Sequence, residues 1–284
     1  MASELRETIP TFEAKGNDEG GEVSISNWSG LSDVGFAKSG AEAFVILLVA
    51  VLVIGGLELA IRGFGIKSYV LPKPSQVGSV LFHHFNVFWP GIKVTLKELI
   101  SGFAIGAAIG LFLAALITQF PFVEKIITPY ILLLVTTPII ALVPLLMLRY
   151  GYGSTPRIIA CALATGPMVM INSATGFRRT DLAKIALARS YGASTFQIFT
   201  KIRFPLALPM IIVGLMVGSI FGMLTTVGAE IVGGTGGLGS QLSTYSALIK
   251  MDFFWAVIVL LAFMGVLLYV IFFWVGKRWA SWQA

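Results

Sequence analysis

The residues of this chain that could do chemistry are few, and their spacing argues against catalysis. Residues 234–239 read GTGGLG and match the pattern of a dinucleotide-binding loop. Such a loop must follow a strand and begin a helix within a βαβ unit, whereas this one follows a long apolar run. His83 and His84 are neighbours, so in a helix their side chains would point apart, and no third metal ligand is evident. We therefore expect no catalytic residue and no metal site.

A second group of candidates consists of polar residues inside or beside the apolar runs. Polar groups are costly in a membrane, so such residues are candidates for a transport pathway. Glu230 directly follows an apolar run and is either part of a gate or a plain interfacial charge. The neutral candidates are Thr165, Asn172, Thr225 and Thr226, which either line a pathway for a polar anion or only join neighbouring helices. The runs hold no paired carboxylates and no Ser, His and Asp set, which disfavours a membrane enzyme.

The composition indicates that these residues are held in a membrane. The 284 residues are 56% hydrophobic and 12% charged, with a mean hydropathy of +0.88, whereas a soluble domain has roughly 25% charged residues. The net charge of +6 is concentrated in residues 178–203 and at Lys277 and Arg278. Basic residues beside apolar spans mark the cytoplasmic side, so the charge predicts topology rather than nucleic-acid binding.

Six apolar runs, each able to cross about 30 Å of hydrocarbon, predict an all-α polytopic membrane protein. They cover approximately residues 42–62, 94–118, 125–148, 157–177, 206–229 and 253–275. Pro138 and Pro144 should interrupt the third helix, and Pro167 the fourth. With the basic segments inside, both termini lie in the cytoplasm. Residues 1–40 are polar and acidic and predict a cytoplasmic tail without a packed core.

Three smaller patterns concern packing. GxxxG spacing, which lets helix backbones approach closely, occurs at Gly102, Gly106 and Gly110 and again at Gly214, Gly218 and Gly222; it serves packing within the subunit or between subunits. Glu58 and Arg62 are one helical turn apart and should pair. Residues 63–93 should form an extended turn and then a short interfacial helix that contains His83, His84 and Trp89.

The basic segment 178–203 has the signals of two short helices joined by a tight turn. Helical spacing places Leu182, Ile185, Ala186 and Arg189 on one side of the first helix. Gly192 stands where a left-handed C-terminal cap belongs, and Ser194 with Gln197 fits a capping box that begins the second helix. Phe196, Phe199 and Ile202 would form an apolar stripe on that helix. The alternative is an amphipathic pair that lies at the interface and only fixes topology.

This segment resembles the "EAA" loop of binding-protein-dependent ABC importer permeases. The family pattern is Glu-Ala-Ala, three residues, Gly and, about a dozen residues later, Pro; here Ala186, Leu187 and Ala188 precede Gly192, and Pro205 and Pro209 follow. The chain departs from this pattern at Ala186, which replaces the usual Glu, and at Leu187. The stretches LPKPSQV (71–77), TTPIIALVPLLMLRYGYG (136–153) and AEIVGGTGGLG (229–239) are similar to the branch that imports nitrate, bicarbonate, taurine, alkanesulfonates and pyrimidine precursors. The resemblance covers most of residues 41–278.

The resemblance implies a type I importer permease domain over residues 41–284, with a coupling loop at 178–209. In this family the loop docks on a cytoplasmic ATPase dimer, which binds ATP and Mg²⁺; the permease itself binds no cofactor. A periplasmic or surface solute-binding protein delivers a small anion or polar solute, and a second copy or a paralogue completes the pathway in the bacterial inner membrane. The residues assigned to the coupling loop are Leu182, Ile185, Ala186, Leu187, Ala188, Arg189, Gly192, Ala193, Ser194, Phe199, Pro205 and Pro209. The alternatives are a stand-alone secondary transporter or channel, and a scaffold without transport.

Overall fold

The computed structural model describes residues 40–279, and within them every regular element is helical, as predicted. In chain order the helices are α1 (Gly40–Gly63), α2 (Pro74–His83), α3 (Phe85–Gln119), α4 (Pro121–Thr136), α5 (Ile139–Tyr150), α6 (Ser154–Arg178), α7 (Leu182–Ser190), α8 (Thr195–Ile198), α9 (Phe204–Gly233), α10 (Leu238–Ala247) and α11 (Met251–Trp279). A π-helical turn, Phe199–Arg203, joins α8 to α9. Of the first compact unit only the helical residues 40–50 are described, and residues 51–279 belong to the second. The tail predicted at residues 1–40 lies, apart from Gly40, outside the described residues.

The predicted spans appear as five long apolar helices and one bent pair. The long helices are α1, α3, α6, α9 and α11, and the third predicted span is the pair α4 and α5, bent by 97°. The break lies at Pro138, as predicted, and Thr137 before it is extended (φ −79°, ψ 128°), the conformation that a following proline favours. The predicted interruptions at Pro144 and Pro167 are wrong, since both lie inside continuous helices. Packed neighbours allow a membrane helix to continue through proline.

Helix α6 lies between α3 and α9, and glycines bring both neighbours close to it. On one side α3 runs parallel to α6, and a Cβ at Gly106 would lie 2.5 Å from the Ala162 carbonyl oxygen. On the other side α9 runs antiparallel, and a Cβ at Gly218 would lie 2.8 Å from Val169 Cγ2. The remaining motif glycines make similar contacts along α6: Gly102, Gly110, Gly214 and Gly222. Both GxxxG motifs therefore pack within this chain, one of the two predicted interpretations.

The fifth span begins earlier than predicted. Helix α8, the π-helical turn and α9 form one segment, Thr195–Gly233, of 39 residues. The prediction of a separate second short helix is therefore wrong. Proline has no N–H to donate, and Pro205 follows a π-helical turn in which the Phe204 N–H bonds the Phe199 carbonyl. Local π adjustments of this kind satisfy backbone groups around a proline in a membrane helix.

The segment between α1 and α3 is partly as predicted. The predicted pair is present, with Arg62 Nη2 2.6 Å from Glu58 Oε1, and Glu58 also accepts hydrogen bonds from the Ser75 N–H and hydroxyl. Helix α2 ends at His83, and His84 (φ −120°, ψ 21°) separates it from α3. Because α3 begins at Phe85, Trp89 lies in α3 and not in the short helix that was predicted to contain it.

Candidate functional site

Two groups of residues lie at opposite ends of the helices α6 and α9. Residues 178–203 connect the end of α6 to the start of α9, which we call the loop end. Residues 234–239, the glycine-rich turn, follow the end of α9 near the start of α6, which we call the turn end. The residues predicted for the coupling loop lie at the loop end, Glu230 lies at the turn end, and the neutral candidates lie between the two ends.

Helix α7 at the loop end is capped at both ends by residues that directly precede and follow it. Asp181 begins it, since its carboxylate accepts the Ala183 N–H at 2.8 Å, a typical N-cap bond. The sequence interpretation missed this cap, although Asp just before a helix is a recognised signal. Gly192 ends the helix in the left-handed conformation (φ +77°), as predicted, and the Ala193 N–H bonds the Ala188 carbonyl at 3.0 Å. Such a Schellman-type end fixes where the chain turns.

The turn after Gly192 leads directly into the next helix. The Ser194 N–H donates to the Gln197 side-chain oxygen at 2.8 Å, and the Gln197 N–H donates to the Ser194 hydroxyl at 3.3 Å. The predicted capping box is therefore present. Because the helix that it begins runs without interruption to Gly233, the loop is joined to a membrane span without a flexible connection.

The sides predicted for the two loop helices are only partly buried. Of the side predicted for α7, only Ile185 is buried, while Leu182 is 78% exposed and Ala186 and Arg189 are also exposed. In the second helix Ile198, not Phe196, is buried. The reason is that one edge of the loop, not a whole helical face, lies on the protein. Four large apolar side chains at the loop end are exposed: Leu182, Leu187, Tyr191 and Phe196.

Aromatic contacts hold the end of the loop that leads into α9 against the core. The ring centroid of Phe199 lies 5.1 Å from that of the buried Phe177 of α6, and the ring centroid of Phe204 lies 6.4 Å from it. Pro205 is in the first turn of α9, and Pro209 is inside α9. Arg178 pairs with Glu124 of α4 at 2.8 Å. Of the basic residues in 178–203, all except the half-buried Arg203 are exposed, so the loop end presents positive charge together with exposed apolar groups.

The turn end contains an ionic cluster that the sequence interpretation found only in part. It comprises Thr95 and Glu98 of α3, Arg157 of α6 and Glu230 of α9, each at most 3% exposed. Arg157 Nη1 lies 3.1 Å from Glu98 Oε1. Glu230 was predicted from its position after a span, whereas it lies within α9. Glu98 and Arg157 were missed, although each is an ionisable residue in an apolar run, which is a general signal of function.

The cluster binds the backbone of the glycine-rich turn. Glu230 Oε2 accepts the Gly239 N–H at 2.7 Å, and the Thr95 hydroxyl oxygen accepts the Leu238 N–H at 2.8 Å. Arg157 donates to the Gly236 carbonyl at 3.2 Å. Gly237 has φ +86°, and a Cβ there would overlap the Glu230 carboxyl group. The GTGGLG pattern thus lets backbone approach a buried carboxylate, and within residues 40–279 no strand precedes it.

The predicted neutral pathway residues lie mainly inside the core. Thr165 is buried and donates from α6 to the Gly218 carbonyl of α9 at 3.1 Å. Buried Thr226 and half-buried Asn172 each bond a carbonyl of their own helix, and Thr225 is 7% exposed. Thr165 therefore joins neighbouring helices, the alternative role given above, whereas the bonds of Thr226 and Asn172 stay within their own helices. Among the described residues no group of His, Cys, Asp or Glu is arranged to hold a metal ion, and His84 packs against Phe253.

The glycine-packed helices, the bent pair and the capped helix before the fifth span define a multi-pass helical membrane protein of the permease type. The chain belongs to the family described as the binding-protein-dependent transport system inner membrane component, whose model matches residues 106–281. It is thus a membrane permease subunit of an ABC importer.

Individual relatives support this assignment. A probable ABC transporter permease protein of Haemophilus influenzae is 29% identical, over 82% of this chain and 95% of its own length. The taurine transport system permease protein TauC of Escherichia coli is 30% identical, over 72% and 76%. The chain is also 27% identical to a putative aliphatic sulfonates permease, SsuC, of Escherichia coli, over 77% and 84%.

Solved structures show the same fold. The methionine ABC transporter MetNI in inward-facing conformations matches with a TM-score of 0.56 at 20% identity, covering 67% of this chain and 93% of the matched chain. An amino acid ABC transporter with histidines matches with a TM-score of 0.56 at 19% identity, over 72% and 95%. The predicted type I importer permease fold is therefore confirmed.

Proposed function

We propose that this chain forms the translocation pathway of an ATP-driven importer together with a second copy of itself or a close paralogue. A cytoplasmic ATPase dimer docks on the loop at residues 178–209 and drives the cycle. ATP and Mg²⁺ are bound and hydrolysed in that partner, so this chain is a non-catalytic subunit without a cofactor. A separate solute-binding protein delivers the cargo.

The observation that carries the coupling role is the capped helix α7 at the loop end. Exposed apolar groups are costly in water, and Leu182, Leu187 and Tyr191 are 78%, 60% and 84% exposed. The bonds at Asp181 and Gly192 hold this helix rigid without a partner. A rigid, capped element with exposed apolar and basic side chains suits the docking of another protein, and its continuation into α9 suits the transmission of movement.

The departure at Ala186 affects how docking is achieved. Ala186 is exposed on α7 and offers no carboxylate where the family usually has Glu. Docking here should therefore depend on the shape of the helix and turn and on the surrounding bases, among them the exposed Lys184 and Arg189, more than on one ionic contact.

The proposed membrane topology follows from the positive charge of the loop end. Basic residues of short loops remain in the cytoplasm, and the loop end is basic. With residues 178–203 inside, α6 and α9 place the glycine-rich turn on the outer side of a bacterial inner membrane. Both termini are then cytoplasmic.

The proposed cargo is a small anion or a comparably small polar solute. Two relatives are named for taurine and aliphatic sulfonates, and another for formylaminopyrimidine. ATP-dependent uptake of labelled taurine, an alkanesulfonate, nitrate or bicarbonate into liposomes, with the binding protein outside, would identify the class. Uptake of none of them, with uptake of a large neutral solute instead, would contradict the proposal for the cargo.

The coupling role is tested by co-purification of this chain with its ATPase. Valine at Gly192 must adopt φ +77°, which a β-branched residue avoids, and a cost of about 1–2 kcal/mol corresponds to roughly a 5–30-fold loss of complex. The matched control is Gly78→Val, since Gly78 is exposed in α2 and a Cβ there meets nothing within 4 Å. Equal yields of ATPase with both variants would contradict docking at this loop. Uptake by the chain alone, without ATP, would instead support a secondary transporter or channel.

A further inference from the structure

The glycine-rich turn is bound by side chains of three different helices. Thr95 of α3, Arg157 of α6 and Glu230 of α9 each bond its backbone. Backbone groups that are buried without partners are costly, and these side chains provide partners between the end of α9 and the first residues of α10, Leu238 and Gly239, whose N–H groups have no partner within their own helix. The turn is therefore held by the relative position of three helices rather than by its own hydrogen bonds alone.

The buried ion pair of the cluster requires α3 and α6 to keep fixed positions beneath the turn. Glu98 forms an ion pair with Arg157 beneath the turn, and Arg157 also donates to the Gly153 carbonyl at the start of α6 and to the Thr235 hydroxyl. A buried ion pair contributes little net stability, and leaving one partner unpaired is strongly destabilising. Such a cluster is better explained by a requirement for fixed positions than by a need for stability.

Small movements of α9 would break these bonds. The bonds from the cluster to the turn are between 2.7 and 3.2 Å long. Helix shifts in switching proteins are typically about 1–2 Å, enough to exceed hydrogen-bond length when donor and acceptor belong to different helices. The helical segment that carries Glu230 also carries the loop end, 39 residues in one piece, so a displacement at the loop can reach the turn.

We propose that Thr95, Glu98, Arg157 and Glu230 are positioning residues that hold the glycine-rich turn against the core and thereby keep the turn end closed in the resting permease. This inference rests on the proposed function, because the movement that releases the turn is the ATP-driven displacement of α9. Coupling between two sites is reciprocal. If the ATP-bound state breaks these bonds, then breaking them by mutation favours the ATP-bound state.

The test compares alanine at two neighbouring glycines of the turn. Both Gly236 and Gly237 have positive φ (+68° and +86°), so alanine is strained at either position. Only at Gly237 does the added Cβ overlap the Glu230 carboxyl group, while at Gly236 its nearest neighbour is Val94 Cγ1 at 3.6 Å. ATP hydrolysis is measured for the complex of this chain with its ATPase in liposomes, without binding protein. At ATP concentrations well below saturation, where the rate follows the affinity for ATP, we expect Gly237→Ala to raise the rate by about fivefold or more, the lower end of typical coupling. Gly236→Ala, which adds the backbone strain without the overlap, should raise it by less.

A second measurement separates release of the turn from unfolding. In a Cys161→Ser background, Ser240→Cys places a thiol at a buried position beside the turn, where the Ser240 hydroxyl bonds the Gly237 carbonyl. A membrane-impermeant maleimide should label it faster with Gly237→Ala than with Gly236→Ala. Ser173→Cys, in the core of α6, should remain unlabelled in both. If Gly237→Ala unfolds the chain, the double variant E98Q/R157M, which removes both charges of the Glu98–Arg157 ion pair together with the Arg157 bond to the turn and leaves Glu230 as the one charge of the cluster, must give the same rise in ATP hydrolysis.

The outcomes distinguish this inference from the proposed function. Equal rates of hydrolysis in Gly237→Ala and Gly236→Ala, or no rise in E98Q/R157M where Gly237→Ala unfolds, would overturn the positioning role. If the wild-type chain forms no complex with an ATPase, the proposed function fails first. The labelling of Ser240→Cys does not require the ATPase, so unchanged protection in Gly237→Ala would overturn the inference independently.

Discussion

At the turn end of α9, Glu230 is fully buried and its carboxylate bonds the backbone of the glycine-rich turn. At the loop end, Leu187 and Tyr191 are 60% and 84% exposed, and the nearby caps bond only residues of the loop itself. The glycine-rich turn is thus bonded by side chains of three helices, whereas the caps at the loop end bond their neighbours in sequence. The turn end is organised to keep its own geometry, and the exposed loop end suits the docking that we propose.

The largest expected effect comes from removing the cation of the turn end. Arg157→Met leaves Glu98 and Glu230 buried without a positive charge, and breaking a buried pair costs about 3–5 kcal/mol. The expected result is a large fall in the melting temperature of the purified chain in detergent. The control is Arg62→Met, because Arg62 is 59% exposed in its pair with Glu58, and exposed pairs contribute about 0–1 kcal/mol. Similar melting temperatures for both variants would show that the buried cluster does not stabilise the turn end as described.

The second effect concerns the helices that bring the cluster together. Alanine at Gly106 would place its Cβ 2.5 Å from the Ala162 carbonyl oxygen, and overpacking of this kind costs about 1–3 kcal/mol. Gly56→Ala in α1 is the matched control, since a Cβ there meets nothing within 4 Å and alanine improves helix stability by about 0.5–1 kcal/mol. We expect Gly106→Ala to lower the melting temperature and to raise maleimide labelling of Ser240→Cys. A rise in stability with Gly106→Ala would contradict the packing of α3 on α6.

The difference between local bonds at the loop end and bonds between helices at the turn end explains which features could be predicted from the sequence. The cap at Gly192 and the box formed by Ser194 and Gln197 involve residues at most five positions apart, so local spacing is sufficient to identify them. The Asp181 cap is equally local and was overlooked. The break at Pro138 was predicted for a similar reason, since it depends on the residue before a proline, but that signal predicts only a break and not the 97° angle between the two helices.

The turn end could be predicted only in part. Thr95, Arg157 and Glu230 meet because three helices pack along glycines, and no local pattern indicates which residues face each other. Ionisable residues in apolar runs were visible at Glu98 and Arg157, and the cost of burial alone marks them as candidates. The pairing of Glu98 with Arg157, by contrast, requires knowledge of how α3 packs on α6.

The smallest expected effect concerns the N-cap of α7 at the loop end. Asp181→Ala removes the N-cap of α7, where the carboxylate accepts the Ala183 N–H, and such a loss costs about 1 kcal/mol. Hydrogen exchange of the first amides of α7 should quicken, whereas the amides of Leu238 and Gly239 at the turn end should exchange as in the wild type. Ser190→Ala is the control, because its hydroxyl bonds the Leu187 carbonyl of the same helix and caps no N–H. Faster exchange at Leu238 in Asp181→Ala would mean that the caps of the loop end also stabilise the turn end, which their local bonding does not predict.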